Sequence, residues 1–322
     1  MLRLAKQEGF GRIALEEAPV PVPKEHEVLV RTRASLISRG SELGGRYLRE
    51  ERVDPIRVGY AAAGEIVATG RAVHQYHVGD RVYVVGPHAQ YVIADATKQD
   101  EGLFRCQSIG ERLSYEVGAF VGLTVAAIGW VDTVEIEPGE TVVILGQGIV
   151  GSLMTQVARA RSDITLIAVD RLPLRCDFAR RVGADVVINA AEEDVVEAVK
   201  VATSGRGADV VIDAVGGSHG VESFKQAQAL CRSQGRIMLV GMYQTAPLTI
   251  DANALMTRTI IGGNSRRPFP PETWEKAVEL LERGVIRAEE MITHRFPFRD
   301  GKKAFDLLYE RPGEALGVIL QW

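Results

Sequence analysis

The sequence predicts an α/β chain with two domains, one strand-rich and β-barrel-like, the other a doubly wound parallel sheet. Three observations carry this. Residues 1 to about 115 hold short strands punctuated by turns. From about Ser114 to Gly263, short apolar runs alternate with helical stretches. After Gly263, a proline-led helix, a second helix and a closing apolar run follow, which is expected to rejoin the first domain.

In the first part "EVLVRTRASLI" alternates with period two, and "AAGEIVATG", "GDRVYVVG" and "HAQYVIAD" are further strands between glycines, prolines and charges. In the middle, "TVVILG", "ITLIAVD", "DVVIN", "ADVVIDAVG", "GRIMLVG" and "TIIGG" are short apolar runs rich in valine and isoleucine. Such runs are buried on both faces, as in a parallel sheet covered by helices. The stretches between them, such as "LRCDFARRVGA" and "GVESFKQAQALCRS", read as those helices. In the tail, "NSRRPFPPETWEKAVELLERGVI" spaces Trp274, Val278 and Leu281 as a buried helix face, "GKKAFDLLYERP" reads as another helix and "ALGVILQW" as a strand.

At 322 residues the chain has room for two cores. A net charge of −4 without a basic stripe argues against nucleic acid as a partner. No apolar run reaches the ~18 residues of a membrane helix. "MLRLAKQEGFGR" lacks the apolar core of a signal peptide. Cys106, Cys176 and Cys231 are isolated, offering neither a disulfide framework nor a CxxC metal site, so a cytoplasmic setting is expected.

The strongest motif is "TVVILGQGIVGSLMTQVARA". Gly146, Gly148 and Gly151 form G-x-G-x-x-G directly after a strand and opening a helix. Gly146 allows the tight turn, Gly148 lets backbone approach a pyrophosphate, and Gly151 permits close packing of helix on strand. The helix N-terminus offers amide donors and positive dipole to phosphate. Asp170 ends the next strand, 19 residues beyond Gly151, where a carboxylate bonds ribose hydroxyls and repels a 2′-phosphate. NAD is therefore the expected cofactor, although Arg171 is of a type that accommodates NADP. Ile149, Val150, Arg171, Arg175, Val215, Val240, Gly241 and Met242 complete the cofactor-binding candidates.

With this motif in place the chain resembles a medium-chain dehydrogenase/reductase over nearly its whole length. "VGYAAAGEIVATG" followed by "HVGDRV" resembles that family's glycine-rich strand pair and its turn, and "HAQYVIAD" a following strand. "VGAFVGLTVAAIGWV" sits where the interdomain helix sits. The resemblance implies a GroES-like catalytic domain over 1–115 and 264–322, a Rossmann domain over 116–263, a nicotinamide-dependent dehydrogenase activity and, in many members, a homodimer.

The departures concern zinc. Ser38 stands where zinc-dependent members carry a cysteine, Tyr60 of "GYA" where they carry the histidine of "GHE", and Gly122 near the third ligand. None suits Zn²⁺, which takes thiolate, imidazole or carboxylate. The four-cysteine structural loop is missing as well. A zinc-free enzyme is expected, with Glu42, Glu65 and His88 as the one unusual alternative ligand set. "SRGSE" and "GPHAQY" resemble a subgroup with Ser-x-Gly-Thr/Ser-Glu, which includes polyol and cyclitol dehydrogenases.

Without metal, side chains must bond the substrate oxygen and exchange its proton. Ser38, Glu42, Tyr60 and His88 are the catalytic candidates. Ser38 and Tyr60 are donors to a carbonyl oxygen, His88 the expected acid/base, and Glu42 its orienter or a ligand of substrate hydroxyls. Arg266 and Arg267 are candidates for binding an anionic substrate. The expected function is NAD(H)-dependent hydride transfer to or from a hydroxyl/ketone pair of a polyol, sugar or cyclitol. A zinc-free enone or quinone reductase and a non-catalytic NAD-binding regulator are the competing readings.

Overall fold

The computed structural model describes residues 1–97, 106–161, 163–265 and 268–322. Arg266 and Arg267 lie outside the described residues. The chain divides into two compact units, Met1–Val125 with Pro268–Trp322, and Ala126–Arg267. The first change of unit falls inside the helix Val121–Thr133, about ten residues beyond the boundary expected from the end of the strand-rich segment.

The first unit is organised around the ten-residue strand Glu27–Leu36. One edge of it pairs antiparallel with Ala62–Thr69. Its other edge is shared by two strands in succession, Tyr91–Asp95 along its first half and Gly317–Gln321 along its last residues. Arg81–Val84, Cys106–Ser108 and Ile292–Pro297 extend the sheet to seven strands. Gly317–Gln321 thus brings the tail back to the central strand of the first unit, and Ser35 pairs with both Ala62 and Leu320. The strand ends in buried Leu36 and Ile37, and the chain then turns into the short helix Arg39–Glu42. The tail helix Gly301–Glu310 buries Ala304, Phe305, Leu307 and Leu308 into a core with Leu4, Ile37, Leu43, Tyr47, Val58 and Leu320. This core lies directly under the turn at Ser38.

The second unit is a six-stranded, wholly parallel sheet. Its order is Val186–Asn189, Thr165–Asp170, Thr141–Leu145, Ala208–Asp213, Cys231–Leu239, Thr259–Gly262. Counted within the unit this is 3-2-1-4-5-6, the doubly wound order expected from strand–helix alternation. Thr141–Leu145 and Ala208–Asp213 are buried along their entire length, as their valine- and isoleucine-rich centres require. The order reverses between these two strands, so the loops leaving their carboxyl ends face a common crevice.

Candidate active site

The loop after Thr141–Leu145 is shaped by backbone proximity. Gly146 has φ +85°, a conformation open to glycine, and a Cβ there would come within 2.8 Å of Val215. A Cβ on Gly151 would lie 1.7 Å from the Gly146 carbonyl oxygen, so the helix Ile149–Arg161 approaches its strand only because that position is glycine. At Gly148 the nearest atom to such a Cβ is Arg175 Nη1, 3.9 Å away, which leaves the backbone open on that side. The loop is therefore a cradle of opening helix amides, suited to a phosphate.

Asp170, at the end of the neighbouring strand, is 7% exposed and holds the cradle in place. Its Oδ2 accepts a hydrogen bond from the Gln147 amide at 2.7 Å and its Oδ1 one from Leu172 N at 3.0 Å. Arg175 Nη1 stands 3.5 Å from Oδ2, and Arg171 Nη1 is 2.9 Å from the His219 Nε2. A carboxylate has about four acceptor positions, so these bonds leave capacity for a ribose hydroxyl. The loops after the fourth and fifth strands meet backbone to backbone. A Cβ on Gly241 would lie 2.1 Å from Val215 O, and one on Gly216 would lie 2.2 Å from Met242 O. Gly146, Gly148, Ile149, Val150, Gly151, Asp170, Arg175, Val215, Val240, Gly241 and Met242 are thus all placed at the carboxyl end of this sheet.

In the first unit the structure brings Ser38, Glu42, Tyr60 and His88 into one cluster. Glu42 and His88 are both fully buried. His88 Nε2 is 3.0 Å from Glu42 Oε2, and His88 Nδ1 is 2.8 Å from Ser35 Oγ. Ser35 Oγ also accepts a hydrogen bond from Trp322 Nε1 at 2.8 Å. Glu42 Oε1 accepts from the Ser38 amide at 2.9 Å, which closes the turn that ends the strand. Arg39 donates to Leu308 O, and Arg46 to Arg57 O and Ser41 O. His88 is delivered by a close crossing. Its amide donates to Val58 O at 2.7 Å, and Gly59, at φ +102°, would bring a Cβ within 2.5 Å of His88 N. The imidazole has no free nitrogen, so a direct acid/base role for His88 requires one of its two hydrogen bonds to open.

Tyr60 is the half-buried member of the cluster. Burial is the main cause that pushes its phenol up to about 12, and Glu42's charge adds to it, while hydrogen bonds with Ser38 and Ser41 and the Arg46 charge work the other way. At Gly122 a Cβ would lie 2.1 Å from the Tyr83 hydroxyl and 2.6 Å from its Cζ. The Tyr83 ring, 2% exposed, occupies the volume that a side chain at 122 needs, and its hydroxyl is 3.3 Å from Tyr60 O.

A parallel sheet carrying this loop, in one chain with a strand-rich unit of this topology, defines an oxidoreductase class. Residues 24–138 match the family model for an alcohol dehydrogenase GroES-like domain, and residues 150–283 that for a zinc-binding dehydrogenase. Among relatives, L-threonine 3-dehydrogenase of Pyrococcus horikoshii is 32% identical, over 97% of this chain and 95% of its own. Sorbitol dehydrogenase of Bacillus subtilis is 28% identical, over 99% and 97%. The crystal structure of galactitol-1-phosphate dehydrogenase from Escherichia coli superposes with a TM-score of 0.85 at 20% identity, covering 100% of both chains. The chain belongs to the medium-chain dehydrogenase/reductase superfamily and is an enzyme of that type.

The matched model's description raises zinc, and the residues at the expected ligand positions do not fit it. They supply a hydroxyl, a phenol and, at Gly122, only a hydrogen atom beneath Tyr83. Glu65 is engaged by Arg31 at 3.2 Å and Arg33 at 3.0 Å, and Glu42 and His88 by each other. Among the described residues no group of three or more His, Cys, Asp or Glu side chains is placed to hold a metal ion.

Three members of the cluster escaped the sequence reading. Ser35 alternates in register with Arg31 and Arg33, which points to an exposed face, yet it is fully buried. Trp322 follows the apolar strand Gly317–Gln321 and Tyr83 stands within Arg81–Val84, so neither carries a polar signal of its own. A serine inside the run "ASLIS", beside two arginines, was the one available signal.

Proposed function

We propose that the protein is an NAD(H)-dependent, zinc-independent oxidoreductase. It transfers hydride between nicotinamide and the hydroxyl/ketone pair of a polyol, sugar or cyclitol. The observation that carries the zinc-free reading is the Tyr83 phenol standing in the side-chain volume of Gly122. The relative named sorbitol dehydrogenase supports a polyol-type substrate. Gly146 to Gly151 hold the pyrophosphate and Asp170 the adenosine ribose. When bound, the nicotinamide supplies or accepts the hydride.

Tyr60 and Ser38 handle the oxygen. With its phenol pushed up to about 12, Tyr60 stays protonated near neutral pH. It donates a hydrogen bond to the substrate carbonyl and yields its proton to the alkoxide that forms, a contribution of about 10²–10⁴-fold for a positioned acid. Ser38, 6% exposed, shares that bond. Glu42 and His88 fix the Ser38 turn from below. Arg171 and Arg175 beside Asp170 favour a second reading, an NADPH-linked enone or quinone reductase.

Fluorescence titration with NADH and NADPH, followed by turnover of a polyol and ketose panel after chelator treatment, separates the two. NADH preference, chelator-resistant reduction of a ketose and a loss of about 10²-fold or more in kcat for Tyr60→Phe support the proposal. Preference for NADPH with turnover confined to enones contradicts it.

A further inference from the structure

We propose that Trp322 is a positioning residue: its indole N–H fixes the tautomer of His88, and through it keeps Glu42 a charged acceptor beneath Ser38 and Tyr60. The argument is one of proton direction. An indole nitrogen only donates. Trp322 Nε1, 2.8 Å from Ser35 Oγ, therefore takes a lone pair of that hydroxyl. Ser35 is fully buried, and its single proton turns to the other neighbour, His88 Nδ1 at 2.8 Å. Nδ1 is then an acceptor, and a neutral imidazole must carry its proton on Nε2, where it donates to Glu42 Oε2 at 3.0 Å. Glu42 Oε1 accepts from the Ser38 amide at 2.9 Å. Every donor has an acceptor, and each bond runs one way.

The indole is aimed independently of the bond it makes. Its ring stacks on Phe298 with centroids 4.7 Å apart at 8°, and its backbone amide donates to Arg33 O at 3.1 Å. Among the described residues the imidazole bonds Ser35 on the Glu27–Leu36 strand and Glu42 on the helix Arg39–Glu42 and meets Phe305, edge-on at 6.2 Å, on the helix Gly301–Glu310, while the His88 backbone amide donates to Val58 O. Glu42 is the charged group among these partners. Tyr60 faces Ser38, Ser41, Glu42 and Arg46. Without the indole N–H, Ser35 is free to accept from Nδ1–H. The imidazole then either takes a second proton or presents a bare Nε2 to Glu42, which draws a proton onto the carboxylate. Both outcomes cancel the Glu42 charge beneath Tyr60.

The test is long-range ¹H–¹⁵N spectroscopy of the histidine rings in the full chain, with His88 assigned by the signals missing from His88→Gln. At neutral pH wild-type His88 is expected to be the Nε2–H tautomer. Trp322→Phe keeps a ring for the stack and removes the N–H, and the Nδ1–H or doubly protonated form is expected to appear. Ser35→Ala is expected to do the same. Phe298→Leu, which weakens the stack and keeps the N–H, is expected to lower the melting temperature and leave the tautomer intact. A wild-type Nδ1–H signal, or an unchanged His88 spectrum in Trp322→Phe, overturns the proposal.

The link to Tyr60 rests on the function proposed above and is read kinetically. In Trp322→Phe, kcat against pH gains an inflection that wild type lacks, with KM unmoved. An unchanged profile alongside a changed tautomer breaks the link. The spectra need no turnover, so an inactive protein would count against the proposed function alone.

Discussion

The glycine-rich loop of the second unit and the polar cluster of the first are built from different materials. The loop is backbone. Gly151, Gly216 and Gly241 let main-chain atoms approach where a Cβ would stand 1.7–2.2 Å from a carbonyl oxygen, and Gly146 takes φ +85°. The cluster is side chains, a line from half-buried Trp322 through buried Ser35 and His88 to Glu42, with Tyr60 half-buried beside Ser38. A site made of main chain changes little in character when surrounding side chains change. A site made of side chains can exchange its chemistry within the same fold, here hydroxyls and a phenol at positions where zinc-dependent relatives are expected to hold a metal.

The largest effect of breaking this contrast is expected in the first unit. His88→Leu leaves the buried Glu42 carboxylate without its Nε2–H donor, and stranding a buried charged acceptor costs about 1–3 kcal/mol or more. Urea unfolding of the variant measures it, and a loss within error of zero would mean the pair contributes nothing to the fold. In the second unit Gly151→Ala drives a Cβ against the Gly146 carbonyl, which cannot rotate away as a side chain can. Overpacking of this kind costs about 1–3 kcal/mol, and cofactor affinity should fall about tenfold or more by fluorescence titration.

Gly122→Ala tests whether the first unit also contains a glycine-enforced approach. Its Cβ meets the Tyr83 ring rather than backbone, so the cost of about 1–3 kcal/mol should be relieved in part by Tyr83→Leu in the same chain. Thermal melts of the two single variants and the double variant give the coupling. Additive losses would show that Tyr83 does not fill the position.

The smallest effect is pH-dependent and belongs to the second unit. Burial pushes the Asp213 carboxyl up to about 6, against the pull of hydrogen bonds from Ser223 and the Val215 amide. Its Oδ2 has no hydrogen-bond partner among the described residues. A carboxyl raised in the folded state binds its proton more tightly there than in the unfolded chain. Its contribution to stability therefore falls as pH rises from about 4 to about 6, and levels off above. Asp213→Asn should flatten that part of the melting-temperature profile, whereas an unaltered slope would assign it to other groups.

The same contrast decides what was legible in the sequence. Main-chain sites leave glycines at fixed spacing, so the cradle, the Asp170 strand end and the parallel order were all readable from residues 141–263. The first unit's strands were readable from alternation, while Ser38, Glu42, Tyr60 and His88 were singled out by the family resemblance rather than by any local pattern. Their arrangement was not. Alternation places Ser35 outward with two arginines. It is burial beneath Trp322, 287 positions away, that turns it inward to His88. Nor does any local pattern show that Tyr83 will fill the space over Gly122, because that contact joins a strand to a helix some forty residues later.

The central claim is that Tyr60 and Ser38, without metal, manage the substrate oxygen. The most direct measurement is NADH-linked ketose reduction by the purified full chain, run with parallel zinc analysis before and after exhaustive chelation. Turnover unchanged by chelation, zinc well below one per chain, and a loss on Tyr60→Phe that added zinc does not restore are expected. Activity that disappears with the chelator and returns with stoichiometric zinc would contradict it.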